Sequence, residues 1–432
     1  MTTGVLLAGA SRVDITPRPG VPMIGYFNRP SAAQGIHDPL MARALVLDNG
    51  TEQVALVSLE LLWLPTSHVM AIRHEAAAHC PLAPERIFVF CTHTHGGPAF
   101  DAAEYWDFPL AARIGEAVAQ AYQRREPALL GAGFGMLFGS SINRRWLNRP
   151  ADPSIGVLRV DRADGSPLAL VSSFACHAVV MGYDNLLITG DYPGYSSRAL
   201  EKVLGGGAVA LFAQGGAGDV NPLTETVRQR LSAGYPVIAI GGVSSYYGYA
   251  PDAPESWNIE DRGGGQFLEC ETIARACNNE VLRVWSAITP QREIELWHER
   301  VSVDASVDVG EPPARGLPDA LRSLLDDDIH AGLSLEISLM RVGSALLLGI
   351  PGEVFSETAV AFRRTAQAMG YAHPWLISYA NGAFGYLPPA DAFAEGGYEV
   401  DWALGLGISQ HTQARIATAI APLLTAHAPR RG

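Results

Sequence analysis

Arg86-Ile-Phe-Val-Phe-Cys-Thr-His-Thr-His-Gly-Gly-Pro98 is the stretch from which the rest of the chain can be read. A β-rich apolar run that stops at His-x-His and then Gly-Gly-Pro is a buried strand whose C-terminal end opens into a tight turn. His93 and His95 are two apart in the chain, so in extended backbone they share a face and can reach one site. Neutral imidazole is a common zinc ligand, and paired glycines let backbone and ligand approach closely. Packing at a strand end and acid–base work use the same residues, so the stretch alone leaves metal binding and structure open.

Working outward, the pattern that leads into this stretch occurs three times. Ala44-Leu-Val-Leu47 and Val54-Ala-Leu-Val-Ser-Leu59 flank Asp48-Asn-Gly50, a hairpin signal. A helix from Ser67 to His79 follows, and then the strand 86–91. In the second copy, Val157-Leu-Arg-Val160 and Leu168-Ala-Leu-Val-Ser172 lead into Phe174-Ala-Cys-His177. A helix near Tyr195 to Val203 and the strand Ala208 to Phe212 then open into Gln214-Gly-Gly-Ala-Gly-Asp-Val-Asn-Pro222. In the third, Ile337 to Arg341 and Ala345 to Gly349 lead to Pro351-Gly-Glu353, a helix from Phe355 to Met369, and the strand Trp375 to Tyr379. That strand opens into Asn381-Gly-Ala-Phe-Gly-Tyr386. The interval from Glu60 to His93 equals that from Glu353 to Tyr386.

Strand, crossover helix and next strand make a βαβ unit, right-handed as a rule. The polar loops then emerge together at the C-terminal ends of strands, where open α/β sheets place ligands. The expected fold is α/β: mixed β-sheet layers flanked by helices, built from repeated hairpin-helix-strand units. His93, His95, His177, Asp219, Glu353 and Tyr386 would converge at the strand ends. Further helices are predicted at 109–124, 267–286 and 408–426, and a Gly-rich strand from Leu130 to Phe138. Residues 9–34 read as one short strand and loops. Residues 223–264, with Tyr246-Tyr-Gly-Tyr249 and Trp257, read as a long irregular excursion over the site, within a single domain spanning 1–432.

Composition narrows the function. At 432 residues, 48% apolar and 17% charged, the chain has ample material for a large core. A formal charge of −13 argues against nucleic-acid binding and supplies no basic patch for anionic lipid. Cys80, Cys91, Cys176, Cys270 and Cys277 form no CxxC pair and are odd in number, so buried free thiols are expected. Met1 to Ala10 has no charged n-region, and no apolar run is long enough to span a bilayer. A cytoplasmic protein without a stable membrane anchor is expected, a removed leader aside. Its partner is a small-molecule substrate, and homo-oligomerisation is left open.

As a set, Ala10-Ser-Arg-Val-Asp-Ile-Thr-Pro17, Gly35-Ile-His37, Thr92-His-Thr-His-Gly-Gly-Pro98, Asn143-Arg144, Gly218-Asp-Val-Asn-Pro222, Pro351-Gly-Glu353 and Tyr386 resemble the neutral (alkaline, non-lysosomal) ceramidase family. The motifs stand in the family's order, and the likeness extends to about residue 425. The resemblance implies a zinc-dependent amidase domain with the ion held by His93, His177, Glu353 and Tyr386. Two imidazoles, a carboxylate and a phenolate are a mixed N/O set that suits Zn²⁺ and not calcium. The same resemblance makes His95 the acid/base, Arg144 and Asn221 active-site residues, and Tyr398 an oxyanion donor. His37, Asp219 and Trp257 are expected at the substrate.

The departures from the family pattern also carry meaning. The family's Gly-Asp-Val-Ser-Pro is Gly218-Asp-Val-Asn-Pro222 here, and Asn221 cannot act as a serine-type nucleophile. Gly96 replaces a usual serine, the Gln-Arg-Tyr motif is reduced to Gly396-Gly-Tyr398, and a chain without the family's C-terminal immunoglobulin-like domain is expected. The expectation is a zinc hydrolase that cleaves an amide, or an ester, by metal-activated water, on a substrate other than ceramide itself. Two alternatives stand beside it. One is a zinc-dependent carbohydrate-active enzyme, lyase or glycosidase, with Trp106, Trp146, Trp257 and Tyr246 to Tyr249 as stacking platforms. The other is a catalytically silent ligand-binding homologue.

Overall fold

The computed structural model describes residues 3–26, 29–146, 148–232, 265–308 and 332–429. Trp257, Tyr246 to Tyr249 and most of the excursion read over 223–264 lie outside the described residues.

All three predicted units form, and in each the second hairpin strand pairs in parallel with the strand after the helix. Gln53–Leu59 pairs with Ile87–Cys91, Pro167–Phe174 with Val209–Gln214, and Ala345–Gly349 with His373–Ile377. The first hairpin turns where the sequence places it. Gly50 has φ +84, a conformation open to glycine, and its N–H bonds Asp48 Oδ1 at 2.8 Å.

The first two units share one eight-stranded sheet, ordered Val209–Gln214, Pro167–Phe174, Ser154–Arg162, Glu126–Met136, Leu7–Asp14, Met41–Asp48, Gln53–Leu59, Ile87–Cys91. The third unit, with Glu293–Asp304 and Thr3–Val5, makes a five-stranded sheet. The two sheets pack face to face. Leu45, Leu56, Phe88, Leu158 and Leu211 from one meet Leu296, Met340, Leu347 and Trp375 from the other. Helices cover the outer faces, which explains the near-continuous apolar runs: along Ile87–Cys91, Phe88 and Phe90 point between the sheets while Ile87, Val89 and Cys91 face the helices.

The larger sheet coils until its far ends meet, where the Ser58 hydroxyl donates to the Phe212 carbonyl at 2.7 Å. It does not close into a barrel. This coiling brings the loop after Cys91 beside the loop after Phe174, although their strands lie toward opposite ends of the sheet order. All five cysteines are buried and free, as expected.

Several elements differ from the sequence reading, among them the strand Glu293–Asp304 and the helix Ala390–Glu395, which it does not contain. The second unit's helix runs Asp191–Leu204, starting ahead of Tyr195; Pro193 lies in its first turn, where its missing N–H costs nothing. Glu225–Ser232 is a helix inside the segment read as irregular. Its residues are ordinary helix formers, and the Gly- and Tyr-rich composition that follows conceals them. Tyr398–Gly405 is a helix that the sequence reading does not contain.

Candidate metal centre

The chain leaves the strand Ile87–Cys91 held by its neighbours. Thr92 N–H bonds the Leu59 carbonyl at 2.9 Å, and His93 N–H bonds the Leu61 carbonyl at 3.0 Å. His93 takes φ +64, strained for a residue with a side chain. Thr94 and Ala178 form a parallel bridge, so the two histidine loops run side by side. Opposite them, Glu353 and Tyr386 face each other in the short parallel pair Glu353–Val354 with Tyr386–Leu387.

The imidazole hydrogen bonds set the chemistry. Nδ1 of His93 lies 2.9 Å from the Leu62 carbonyl, that of His177 2.7 Å from the Ala217 carbonyl, and that of His95 3.1 Å from the Gly25 carbonyl. A carbonyl can only accept, so in each neutral ring the proton sits on Nδ1 and Nε2 carries a bare lone pair. Those lone pairs converge. His93 Nε2 is 3.0 Å from His177 Nε2 and 3.3 Å from His95 Nε2. Glu353 Oε2 lies 3.2 Å from His177 Nε2 and 3.6 Å from His93 Nε2. Burial pushes His93 and His177 down to about 3, and His95 well below its ordinary range, so protons do not relieve the crowding.

Acceptors thus face one another in a buried space, an arrangement that calls for a cation. Donors about 2.0–2.1 Å from one tetrahedral zinc lie roughly 3.3 Å apart, and the three distances among His93, His177 and Glu353 fall around that value. The residues fit a zinc ion. Among the described residues, the ligand atoms of His93, His95 and His177 all lie within 4.8 Å of one another.

Around this cluster sits a second layer. Arg144, buried, donates to Tyr386 Oη at 2.9 Å, to Glu399 Oε1 at 2.8 Å and to Asn221 Oδ1 at 3.4 Å. Burial raises the Tyr386 phenol well above its usual range, and the Arg144 guanidinium opposes that shift. Tyr386 also hydrogen-bonds the Glu353 carboxylate. Tyr398 packs edge-on against Tyr386, ring centroids 5.5 Å apart. The structure therefore brings His93, His95, His177, Glu353, Tyr386, Arg144, Asn221 and Tyr398 together.

The remaining predicted residues stand differently. Asp219 has one oxygen on Asn143 Nδ2 and the other on Ser356 N–H, so it braces the loops. His37 stacks on Phe267 with centroids 3.5 Å apart and contacts Asp38 and Tyr195, away from the three histidines. Trp106 is a buried core residue bonded to the Ile15 carbonyl and offers no stacking platform; Trp146 is part-exposed and bonded to Glu395.

Sequence reasoning missed several participants. Glu399 holds both Arg144 and Arg145. Gly25, Tyr26 and Arg29 surround His95: the Gly25 carbonyl fixes its tautomer, the Tyr26 ring lies 5.0 Å away, and Arg29 bonds its carbonyl. The Met23-Ile-Gly-Tyr26 segment carries a signal, a Gly-Tyr step in a loop, without a partner to interpret it.

Fold and site define an α/β protein whose strand ends converge on a buried N/O cluster suited to a metal ion. The chain belongs to the neutral/alkaline non-lysosomal ceramidase family, whose N-terminal model matches residues 6–233. Neutral ceramidase B of Dictyostelium discoideum is 29% identical over 305 residues, covering 61% of this chain and 41% of the relative. The chain thus spans well under half of that relative's length. The neutral ceramidase of Mycobacterium tuberculosis is 24% identical over 481 residues, covering 91% and 73%. The crystal structure of neutral ceramidase from Pseudomonas aeruginosa shares the fold, with a TM-score of 0.73 at 22% identity, covering 98% of this chain and 74% of the other.

Two expectations change with these findings. The cytoplasmic placement is overturned, because homologous neutral ceramidases are secreted or membrane-associated. Among the described residues no helix is long and apolar enough to cross a membrane. The exclusion of ceramide also finds no support, since these relatives are named neutral ceramidases.

Proposed function

We propose that this chain is a zinc-dependent hydrolase that cleaves the amide bond of an N-acylated amine, with ceramide among the substrates to be tested. His93, His177, Glu353 and Tyr386 would hold the ion. The observation that carries this reading is three imidazoles locked by backbone carbonyls so that their bare Nε2 atoms face one another and Glu353. A bound zinc supplies Lewis acidity, lowering the pKa of water and polarising a carbonyl.

The chain's own residues do the rest. His95 accepts a proton at Nε2 from the attacking water while its Nδ1–H stays on the Gly25 carbonyl, and it returns the proton to the departing amine. Arg144 and Tyr398 face the oxygen on which negative charge develops, in a buried setting where such donors act strongly. Asn221, standing where the family has serine, orients the substrate through its carboxamide. Asp219, bonded to Asn143 and Ser356, keeps the Asn221 loop against Arg144.

The test is metal analysis combined with a substrate screen. Near-stoichiometric zinc, with chelator-sensitive release of free acid from N-acyl amines, is the expected result. Undiminished turnover in zinc-free protein would sink the reading. Zinc with cleavage of glycosidic bonds alone would favour a carbohydrate-active enzyme, and zinc without turnover a silent homologue.

A further inference from the structure

Tyr379 follows the strand His373–Ile377, and the sequence marks it only as the end of that strand. It is buried, and its ring lies flat on His93, with centroids 3.9 Å apart and planes within 11°. Its hydroxyl donates to Glu353 Oε2 at 3.4 Å, the same oxygen that faces His177. The backbone is pinned on both sides: its N–H bonds the Gly352 carbonyl at 3.2 Å, and its carbonyl accepts from Cys91 N–H at 3.3 Å. Tyr379 has φ +55, and four non-glycine residues among those described have positive φ. Two of the four, His93 and Tyr379, stack on each other here. Strain of this kind persists where surrounding structure enforces it, and it clusters at functional sites.

Two tyrosines reach Glu353, and their settings differ. Tyr386 Oη accepts from the Arg144 guanidinium at 2.9 Å and also hydrogen-bonds the Glu353 carboxylate. The Tyr379 hydroxyl donates to Glu353 Oε2 while its ring lies on His93.

We infer that Tyr379 is a positioning residue of the ion site: its ring fixes the plane of His93 and its hydroxyl holds the Glu353 carboxylate toward the histidines. It therefore sets metal affinity, and with it turnover, without touching substrate. This rests on the zinc reading above. Partners that orient metal ligands commonly change affinity by about 10–100-fold when removed.

The experiment measures zinc affinity by chelator competition in full-length protein, with the absorption spectrum of the cobalt-substituted form and steady-state kinetics alongside. Tyr379→Phe keeps the stack and removes the hydroxyl. The expected result is a roughly tenfold or greater loss of zinc affinity, a shifted cobalt band and lowered kcat at unchanged KM. Tyr379→His keeps a planar ring and a donor and tolerates the left-handed backbone, and it should recover part of the affinity. If Tyr379→Phe does not fold, Tyr379→Asn, which also tolerates the left-handed backbone but lacks the ring, decides alone: affinity and spectrum both as in wild type overturn the inference, and a loss of affinity with a shifted band upholds it. In a folded Tyr379→Phe, wild-type affinity and spectrum overturn it whatever happens to kcat. Failure of the wild-type chain to bind zinc would instead sink the reading beneath it.

Discussion

Glu60 and Glu353 occupy matching places in two different units. Each follows the second hairpin strand, each is buried, and each precedes a residue of the site loop by the same interval, Glu60 before His93 and Glu353 before Tyr386. Their surroundings are opposite. Glu60 accepts from the Arg43 guanidinium and from Met41 N–H, with Arg198 3.6 Å away, and Arg43 is shared with Glu201. Glu353 faces imidazole lone pairs, which cannot donate to it. Burial raises both carboxyl groups, but only Glu60 has a fixed cation bonded directly to its oxygens. One buried glutamate has its counter-cation within the protein; the other has only tyrosine hydroxyls and imidazoles around it, and in the reading proposed above an ion supplies the missing charge. A buried polar cluster whose members do not satisfy one another is where function should be sought.

The contrast breaks hardest at Glu353. Glu353→Ala should abolish zinc binding and lower turnover by more than about 10⁴-fold, while the metal-free protein melts close to wild type because a crowd of acceptors has been thinned. His95→Ala should keep zinc, measured by elemental analysis, and lose about 10²–10⁴-fold in turnover. Equal zinc loss in both variants would make His95 a ligand.

Arg43→Met tests the other side. Removing the cation strands Glu60 and Glu201, and denaturant unfolding should show a loss of about 3–5 kcal/mol. Zinc affinity per folded molecule should not change. If it falls as it does for Glu353→Ala, the two clusters are not independent.

The pH dependence separates them again. His177 has a folded pKa of about 3 against an ordinary 6.5, so the folded state resists protonation. Its contribution is present above pH 6.5 and is lost as pH falls toward 3. Metal-free His177→Leu should therefore gain on metal-free wild type by roughly 2–4 kcal/mol between pH 7 and pH 4. A constant gap across that range would mean that the imidazole is not held neutral.

The three units were legible because their strands are buried on both faces and end in polar, glycine-rich loops. The ligand candidates were legible as motifs at those ends: His93, His177, Glu353 and Tyr386 fall one per loop. What could not be read was long-range. Nothing in the chain announces that Ser58 will meet Phe212, yet that closure puts His177 beside His93. Nor does the sequence distinguish Glu60 from Glu353, whose fates depend on Arg43 lying one strand away. Glu399 and Tyr379 escaped for the same reason, since each matters through a partner remote in sequence, Arg144 for the one and Glu353 for the other. Trp106, a stacking platform only under the carbohydrate-active alternative, is a core residue.

Gly25 offers the finest comparison, because its carbonyl, not a side chain, sets the His95 tautomer. With φ +106 it lies in a region that glycine adopts freely, and a Cβ there would stand 2.6 Å from His95 Nδ1 and 2.8 Å from Cγ. Gly25→Ala must therefore push the imidazole aside as well as strain the backbone. Gly50, at φ +84 with nothing within 4 Å of a Cβ, supplies the control, since its alanine variant suffers the strain alone. Both variants should lose about 1–2 kcal/mol of stability. Gly25→Ala should also lose up to about 100-fold in kcat, the effect of misplacing a reacting group by about an ångström, with zinc content intact. Equal kinetics in the two variants would show that the position of His95 does not limit turnover.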